Sequence, residues 1–584
     1  MKNLLTLKKY FVRYKNKLFA GILFILISNI GSVYVPIILK DAINDLQKAK
    51  SLDISVFRNY ALLIVVTSLI SGIFRYLIRQ TIIVVSREIE YDLRQDFWKH
   101  IQLLPMRYFQ NNSTGNIMAH ATNDINAVRQ FIGPAVMYSI DTGIRLVIVV
   151  GIMVSLNLSL TVYSLLPLPF LSYAVYRVGK LIHEKYVQIQ EKFSELTTRA
   201  QENYSGIRVI KSYVREDYEI KQFSALSLEY LKKNMSLIKI QSLIMPILFI
   251  ITGLSIIIVI WVGGINVINK TMDLGEITAF IIYLGILIWP MIAFGWVMNI
   301  IQLAEAGMKR LNKIFNEKYE VSDTDVTDFD IKDIEGTIEF KNVSFKYGEN
   351  LPDILDNINL KIEKGSTVAL MGYTGAGKTS FVNLIPRLYD VTGGEVLIDG
   401  NNIKSIPLDV LRTQVGLVQQ ESFLFSDTIV NNISYGLREV KKDKVVAVSK
   451  IANFDKDIME FPAGYDTIVG ERGITFSGGQ KQRASLARAL AIEPKILILD
   501  DSFSAVDTNT EEEILKNLKT YMKDRTSIII SHRISTVKDA DKIIVLANGK
   551  IAEEGTHNEL VQLGGIYADL HYRQLLEKEL DELN

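Results

Sequence analysis

The sequence predicts a multidomain chain in which an all-α membrane-spanning half precedes an α/β half, and three observations carry that prediction. A chain of 584 residues exceeds what one hydrophobic core usually organises, so at least two domains are expected. Its first 310 residues or so contain long uncharged runs, whereas the remainder has the composition of an ordinary soluble domain. Within that remainder, Ile496–Asp507 reads ILILDDSFSAVD: four apolar residues, two adjacent carboxylates and a small polar turn. An apolar run bounded in this way is a strand buried on both faces, with Asp500 and Asp501 at its carboxyl end, where ligands collect in open α/β sheets. Two adjacent acids repel each other unless a cation or a phosphate-bound metal faces them, so a phosphate site is expected elsewhere in the chain.

The balance of charge excludes some classes of function. A formal net charge of +1 argues against a nucleic-acid-binding protein. With no cysteine, neither a disulfide framework nor a thiolate metal site is possible.

Lys8, Lys9, Arg13, Lys15 and Lys17 precede an apolar stretch, as in a signal peptide, but Leu18–Leu39 is uncharged throughout and has no clear small-residue cleavage site. Its length suits a first transmembrane helix. Further spans are expected at Tyr60–Phe74, extended past Arg75 and Arg79 to Ser86, and at Phe131–Leu156, Ser159–Tyr176, Ile240–Asn269 and Ile277–Ala304. Only Asn157 and Leu158 separate the third from the fourth, which predicts a tight helical hairpin. Lys and Arg concentrate in the N-terminal segment and in 87–130 and 177–239, which places both termini in the cytoplasm. Those two long segments are too charged for membrane and too well patterned for slack loops. They read as helices that leave the bilayer and turn at elbows near Asn112–Asn116 and Tyr204–Arg208, with Gly115 and Gly206 as breaks.

Charges within a span are costly. Asp141 and Arg145, four apart on one helix face, are expected to neutralise each other, while Arg75 and Arg79 snorkel or meet helix ends. The alternative is that these residues line a cavity for a charged or amphipathic substrate. Trp261, Trp289 and Trp296 read as interfacial or packing residues.

The membrane domain is assigned to 1–315, an acidic linker to 316–332, and the soluble domain to 333–584. Gly336–Val343 alternates apolar and polar residues as an edge strand would. Thr367–Met371 is a short buried strand, and Gly372–Thr379 reads GYTGAGKT, a full match to G-x-x-x-x-G-K-[ST]. In this motif the backbone amides of Gly372, Thr374, Gly375, Ala376 and Gly377 face a phosphate. Lys378 neutralises the β and γ phosphates, and the Thr379 hydroxyl, next to Ser380, is placed for Mg²⁺. The pattern predicts a bound nucleotide triphosphate with Mg²⁺, Asp500 being the metal-side carboxylate. At Thr475–Arg483, TFSGGQKQR places Ser477, Gly478, Gly479 and Gln480 at a second anion-binding helix start, which one triphosphate in one compact domain should not need.

GYTGAGKT, FSGGQ, ILILD, SAVD and the pair Ser531 and His532, in this order and spacing, resemble the nucleotide-binding domain of an ATP-binding-cassette (ABC) transporter. Six spans with long cytoplasmic helices, and the stretch PMRYFQNNSTGNIMAHATND, resemble the exporter type, a half-transporter joining one membrane domain to one cassette. The resemblance covers essentially the whole chain. It implies the type IV exporter fold and ATP-driven export or flipping by a transport ATPase, in the cell's inner (plasma) membrane with the ATPase domain cytoplasmic. It also implies Tyr347 stacking on adenine, Gln420 linking the Mg²⁺ shell to the membrane domain, and Gly470–Gly473 touching the elbows. Asp507 would belong to the loop that crosses to the partner cassette, and His532 would sense the γ-phosphate. Its partners would be a second half-transporter, membrane lipid and a small hydrophobic or amphipathic substrate, with drug, lipid and peptide all open.

The family's general base is a glutamate immediately after the metal-side aspartate, and here that position is Asp501. One methylene fewer leaves its oxygens about 1–1.5 Å short of an attacking water, a misplacement that can cost about a hundredfold in rate. The signature departs only in Phe476, where leucine is usual. Each nucleotide in this family lies between one chain's P-loop and the other's signature, so an intact signature beside a weakened base points to a heterodimer with a partner that carries the glutamate. The alternatives are a regulatory, nucleotide-sensing subunit and a homodimeric exporter with weak ATPase.

Overall fold

The computed structural model describes residues 2–48, 54–470, 473 and 475–583. It divides into two compact units, Met1–Ile101 with Thr114–Asn316, and Gln102–Ser113 with Glu317–Asn584.

Among the described residues of the first unit, six helices are long and apolar enough to cross a membrane: Lys15–Lys48, Ile54–Gln102, Thr114–Leu156, Leu158–Ser205, Glu216–Ile268 and Leu274–Phe315. Helices are required because lipid offers no partner for backbone N–H and C=O groups. At about 1.5 Å per residue the second, fourth and fifth exceed 70 Å, against a hydrocarbon core of about 30 Å, so each continues well beyond the bilayer. The second carries a π turn at Arg79–Ile83 and the third carries two, at His120–Asp124 and Phe131–Ala135, the last holding Pro134. The hairpin between the third and fourth turns on Asn157 alone, whose side-chain oxygen accepts from Leu160 N at 2.9 Å and caps the new helix.

The elbows are wider than expected. The first spans a break at Leu103–Pro105, a short helix Met106–Asn111, and a second break at Asn112, which is extended. Gly115 lies inside the following helix and does not make the turn. In the second elbow Gly206 does end a helix, but the reversal is completed at Val214, which adopts φ 51°.

Asp141 and Arg145 are ion-paired at 3.1 Å, and Asn29 from the first span joins them, accepting from Arg145 Nε at 2.9 Å and donating to Asp141 at 3.0 Å. Arg75 and Arg79 are exposed and have no ion pair among the described residues. At the cytoplasmic end a ladder joins Lys9 to Asp96, Arg13 to Asp92 and Lys17 to Glu88 at 2.6–2.7 Å. These pairs are solvated and individually weak. A stronger tie is Asp124, which is buried and accepts from Arg310 Nε at 2.9 Å and from His120 at 2.7 Å.

Among the described residues of the second unit ten strands form two sheets: β1 (Ile338–Phe345), β2 (Leu355–Ile362), β3 (Thr367–Met371), β4 (Gly393–Ile398), β5 (Asn401–Asn402), β6 (Val415–Val418), β7 (Ile496–Asp500), β8 (Thr526–Ile530), β9 (Lys542–Ala547) and β10 (Lys550–Gly555). One sheet runs β2-β1-β4-β5 and is antiparallel. The other runs β10-β9-β3-β8-β7-β6, parallel except for β10. Contrary to the edge-strand expectation, β1 is central, paired with β2 and β4 on either side. Its alternation arises because one face packs into the core, where Phe340 stacks on Phe381 at 4.3 Å, and not because an edge is exposed. β7 and β8 are buried at every residue. The segment 316–332 has no helix or strand yet packs closely: Asp323 accepts from Leu408 N at 3.0 Å and Asp328 N donates to Ser405 O at 2.8 Å.

Removing the guanidinium from the Asp124 pair leaves a buried carboxylate held by His120 alone. Arg310→Ala is expected to destabilise the protein by about 2 kcal/mol, the usual size for a lost charged hydrogen bond, and Arg310→Lys by less. Thermal unfolding in lipid nanodiscs measures it, and equal melting of all three proteins would show that the pair carries no stability.

Candidate active site

The P-loop leaves β3 at Gly372, and three of its glycines have left-handed backbones: φ 139° at Gly372, 84° at Gly375 and 99° at Gly377. A Cβ at Gly372 would run into the carbonyl oxygen of Leu546, and one at Gly377 would lie 3.0 Å from that of Ile354. The loop therefore presents a cradle of backbone that side chains would fill. Thr374 and Gly375 lie exposed at its rim, Ala376 is buried beneath, and Gly377 is the N-cap of the helix Lys378–Leu384. Lys378 is buried and its ammonium donates to the carbonyls of Gly372 at 2.8 Å and Tyr373 at 3.0 Å. Burial pulls its pKa down, and the charges of Asp500 and Asp501 oppose that.

Asp500 ends β7 and is 3% exposed. Burial pushes its pKa up. Asp501 adds to the effect, while a hydrogen bond from Thr379 and the charges of Lys378 and His532 hold it back. Hydroxyl and carboxylate oxygens are the donors a hard divalent cation takes, and the nearby positive charges do not fully offset the burial of the carboxylate, so Thr379 and Asp500 fit Mg²⁺. Among the described residues no group of three or more His, Asp or Glu could hold a metal, so the remaining ligands would have to come from the phosphates.

Asp501 follows with φ 45°, its N–H donating to Ile530 O at 3.0 Å. Gln420, just past the end of β6, donates to its carboxylate at a long 3.4 Å. His532 follows β8, is exposed, and its ring has no hydrogen bond among the described residues. The structure thus gathers Lys378, Thr379, Asp500, Asp501, Gln420 and His532. Tyr347 is packed edge-on against Tyr389 at 5.3 Å, and its hydroxyl is 2.9 Å from that of Ser380. Burial pushes the Tyr389 phenol up to about 12, and its oxygen accepts from Gln110 at 2.7 Å.

The signature forms a separate feature. Ser477 and Gln480 make a reciprocal capping box at the start of the helix Gly478–Ala491, at 3.2 and 3.0 Å. Gly478 and Gly479 pack under Ala505, where a Cβ would approach to 3.1 and 2.9 Å. Among the described residues no hydrogen bond joins Ser477, Gly478, Gly479 or Gln480 to the P-loop. Phe476 is buried, stacked on Phe461 at 5.3 Å, so the aromatic in place of leucine is absorbed by packing. Asp507 caps the helix Thr508–Met522 by accepting from Thr510 N at 2.9 Å, and that amide holds its pKa down. Of Gly470–Gly473, Glu471 and Arg472 lie outside the described residues.

Sequence reasoning missed the supports. Gln482 holds the turn after Asp501, donating to Ser504 Oγ and accepting from Ala505 N, both at 3.0 Å. Buried Glu511 accepts from Thr536 at 2.5 Å and pairs with Arg533. Buried polar side chains need partners, so a glutamine on the inner face of the signature helix was the available signal for the first.

Residues 18–291 match the family model for the ABC transporter transmembrane region, and residues 355–504 match that for the ABC transporter. The chain is 36% identical to the probable multidrug resistance ABC transporter ATP-binding/permease protein YheI of Bacillus subtilis, covering 97% of this chain and 96% of that one. It is 35% identical to the multidrug resistance-like ATP-binding protein MdlA of Escherichia coli, over 89% of this chain and 88% of the relative. Among solved structures, a bacterial Atm1-family ABC exporter with ATP bound superposes with a TM-score of 0.80 at 25% identity, over 96% and 98% of the two chains.

The raised pKa of Asp500 makes a testable point of linkage. A carboxyl raised in the folded state favours folding where it is protonated, and its contribution falls away as pH rises through the folded pKa. At neutral pH the charged form opposes folding, so Asp500→Asn is expected to raise the melting temperature of the nucleotide-free protein while abolishing Mg²⁺-dependent nucleotide binding. For a domain of this size each 1 kcal/mol gained moves the midpoint by about 2–4 °C. A lower midpoint in calorimetry at pH 7 would contradict the assignment of Asp500 as a carboxylate awaiting a cation.

Proposed function

This chain belongs to the ABC transporter family, and we propose that it serves there as the slow-site half of an exporter assembled from two unlike chains. It is a multi-pass membrane protein with a cytoplasmic ATPase domain, a transport ATPase whose nucleotide hydrolysis drives export. The relatives' designation as multidrug proteins and the apolar spans support a small hydrophobic or amphipathic substrate.

One observation carries the slow site: Asp501 stands in the base position on a left-handed backbone, held loosely by Gln420 at 3.4 Å, while the signature at Ser477–Gln480 is fully capped and packed. Aspartate enters that region of φ more readily than glutamate, so the residue suits its backbone and not the reach of a base. The reach it lacks, about 1–1.5 Å, is of a size that costs about a hundredfold. A signature kept in working order has use only if it faces a competent P-loop on another chain. A homodimer would combine two good signatures with two short bases.

In this reading Tyr347 stacks on the base, the amides from Gly372 to Ser380 hold the phosphates, and Lys378 places its charge on them. Mg²⁺, bound through Thr379, Gln420 and Asp500, would supply further neutralisation of the β and γ phosphates. Lys378, drawn toward Asp500 and Asp501, moves from carbonyl acceptors to phosphate without leaving its pocket. His532, whose ring has no hydrogen bond among the described residues, contacts the γ-phosphate. Asp501 orients water, slowly.

The chain purified alone is expected to hydrolyse ATP slowly, and Asp501→Glu to raise its turnover by up to about a hundredfold. Co-purified with an unlike half-transporter it should turn over at transport rate, and substitution of the partner's glutamate should abolish that. Full transport-coupled turnover by the lone wild-type chain would sink the heterodimer. Turnover of the pair indifferent to both Asp501→Glu and Asp501→Asn would make this site a sensor.

A further inference from the structure

The last helix of the chain, Ile566–Leu583, reaches both loops that face the phosphates. It is anchored at its start. Tyr567 is fully buried, its hydroxyl 2.7 Å from His557 Nδ1, and Glu553 on β10 accepts from the backbone N–H of Ile566 and, at 3.0 Å, of Tyr567. From this fixed start the helix meets the P-loop first. The hydroxyl of Tyr373, the second residue of GYTGAGKT, donates to Asp569 at 3.2 Å, and Arg573 holds that carboxylate at 2.9 Å.

The second contact is made by Gln574. Its carbonyl oxygen accepts from Ile534 N at 2.8 Å, and its amide nitrogen donates to His532 O at 2.5 Å. Ile534 opens the short helix Ile534–Val537, so its N–H has no partner within that helix. One side chain therefore satisfies the donor after the histidine and the acceptor on the histidine itself. From the other side, buried Glu511 grips Arg533 and Thr536. The His532 carbonyl is thus held by Gln574, the side chains that follow it are held by Glu511, and its ring is bound to nothing among the described residues.

We propose that Gln574 is a positioning residue for His532, so that the C-terminal helix sets how well this site tells a triphosphate from a diphosphate. The proposal rests on the reading of His532 as the γ-phosphate contact. Gln574 touches no phosphate. It acts by holding the peptide from which the imidazole projects, and an ordering of that kind is worth a hydrogen bond's share of recognition.

The test measures the affinities of the Mg²⁺ complexes of ADP and of the non-hydrolysable β,γ-imido analogue of ATP for the full chain in lipid nanodiscs. Wild type, His532→Ala, Gln574→Leu and the double variant are compared. Gln574→Leu is expected to lower the preference for the triphosphate analogue by about tenfold while leaving ADP affinity within about twofold. In the His532→Ala background it should change the preference no further, which a general loosening of the fold would not reproduce. Where Gln574→Leu is not recovered folded, Gln574→Asn, too short to span both backbone groups, is expected to act in the same direction. A preference lowered by His532→Ala but untouched by Gln574→Leu overturns the proposal alone, as does equal weakening of both nucleotides. A preference untouched by His532→Ala overturns the reading of His532, and the proposal with it.

Discussion

Everything at this site depends on the parallel pairing of β3, β8, β7 and β6, side by side in that order. Leu370 pairs with Ile530, Ile530 with Asp500, and Leu499 with Val418, so the four strands finish level with one another. The P-loop, the segment with His532, Asp501 and the segment with Gln420 all leave from that one edge. They are spread over some 160 residues of sequence, and the ladder alone makes them neighbours. A slip of one residue in any pair would turn its side chains to the opposite face and move its loop out of the site. This is why the strands are short, apolar at nearly every position, and buried on both faces.

That arrangement concentrates charge where water is scarce. Asp500 and Asp501 lie together at the end of a buried strand, and the countercharge comes from Lys378 two strands away and from His532 after the strand between. The protein leaves the balance incomplete: Asp500 remains raised, Lys378 remains lowered, and the site favours whatever brings a cation and an anion together. A metal nucleotide does both. The supports around it are neutral or internally paired, as with Gln482, Gln574 and the Glu511–Arg533 pair, so they hold the loops without altering the electrostatic demand at the centre.

The parts legible in sequence were those whose chemistry is local. GYTGAGKT declares its own backbone, and the left-handed glycines at 372, 375 and 377 are a property of the loop itself. The spans were legible because lipid imposes one solution on an apolar run. The elbows were misjudged at Gly115, where the break is made instead by Asn112 and the Leu103–Pro105 segment, because glycine permits a turn without requiring one. The central place of β1 was hidden, since an alternating pattern reports burial of one face and says nothing of neighbours in the sheet. Asn29 joining Asp141 and Arg145, and Gln574 joining His532, lay beyond sequence reasoning for the same reason: each is a contact across a large separation made by a residue of ordinary type.

The short segment Gln102–Ser113 belongs to the same unit as the nucleotide-binding strands. By sequence it continues the second span, yet it groups with the cassette, where Gln110 donates to Tyr389 at 2.7 Å and Tyr389 lies edge-on to Tyr347. The aromatic expected to meet the base and the elbow helix Met106–Asn111 therefore share one phenol ring as a neighbour. Tyr389 is half-buried and its hydroxyl is engaged, so it has little freedom to respond to one side without disturbing the other. The energy in one such hydrogen bond is modest, about 1 kcal/mol. Its consequence is geometric: the break at Leu103–Pro105 and the extended residue Asn112 bound a piece of chain six helical residues long whose placement is set by the cassette.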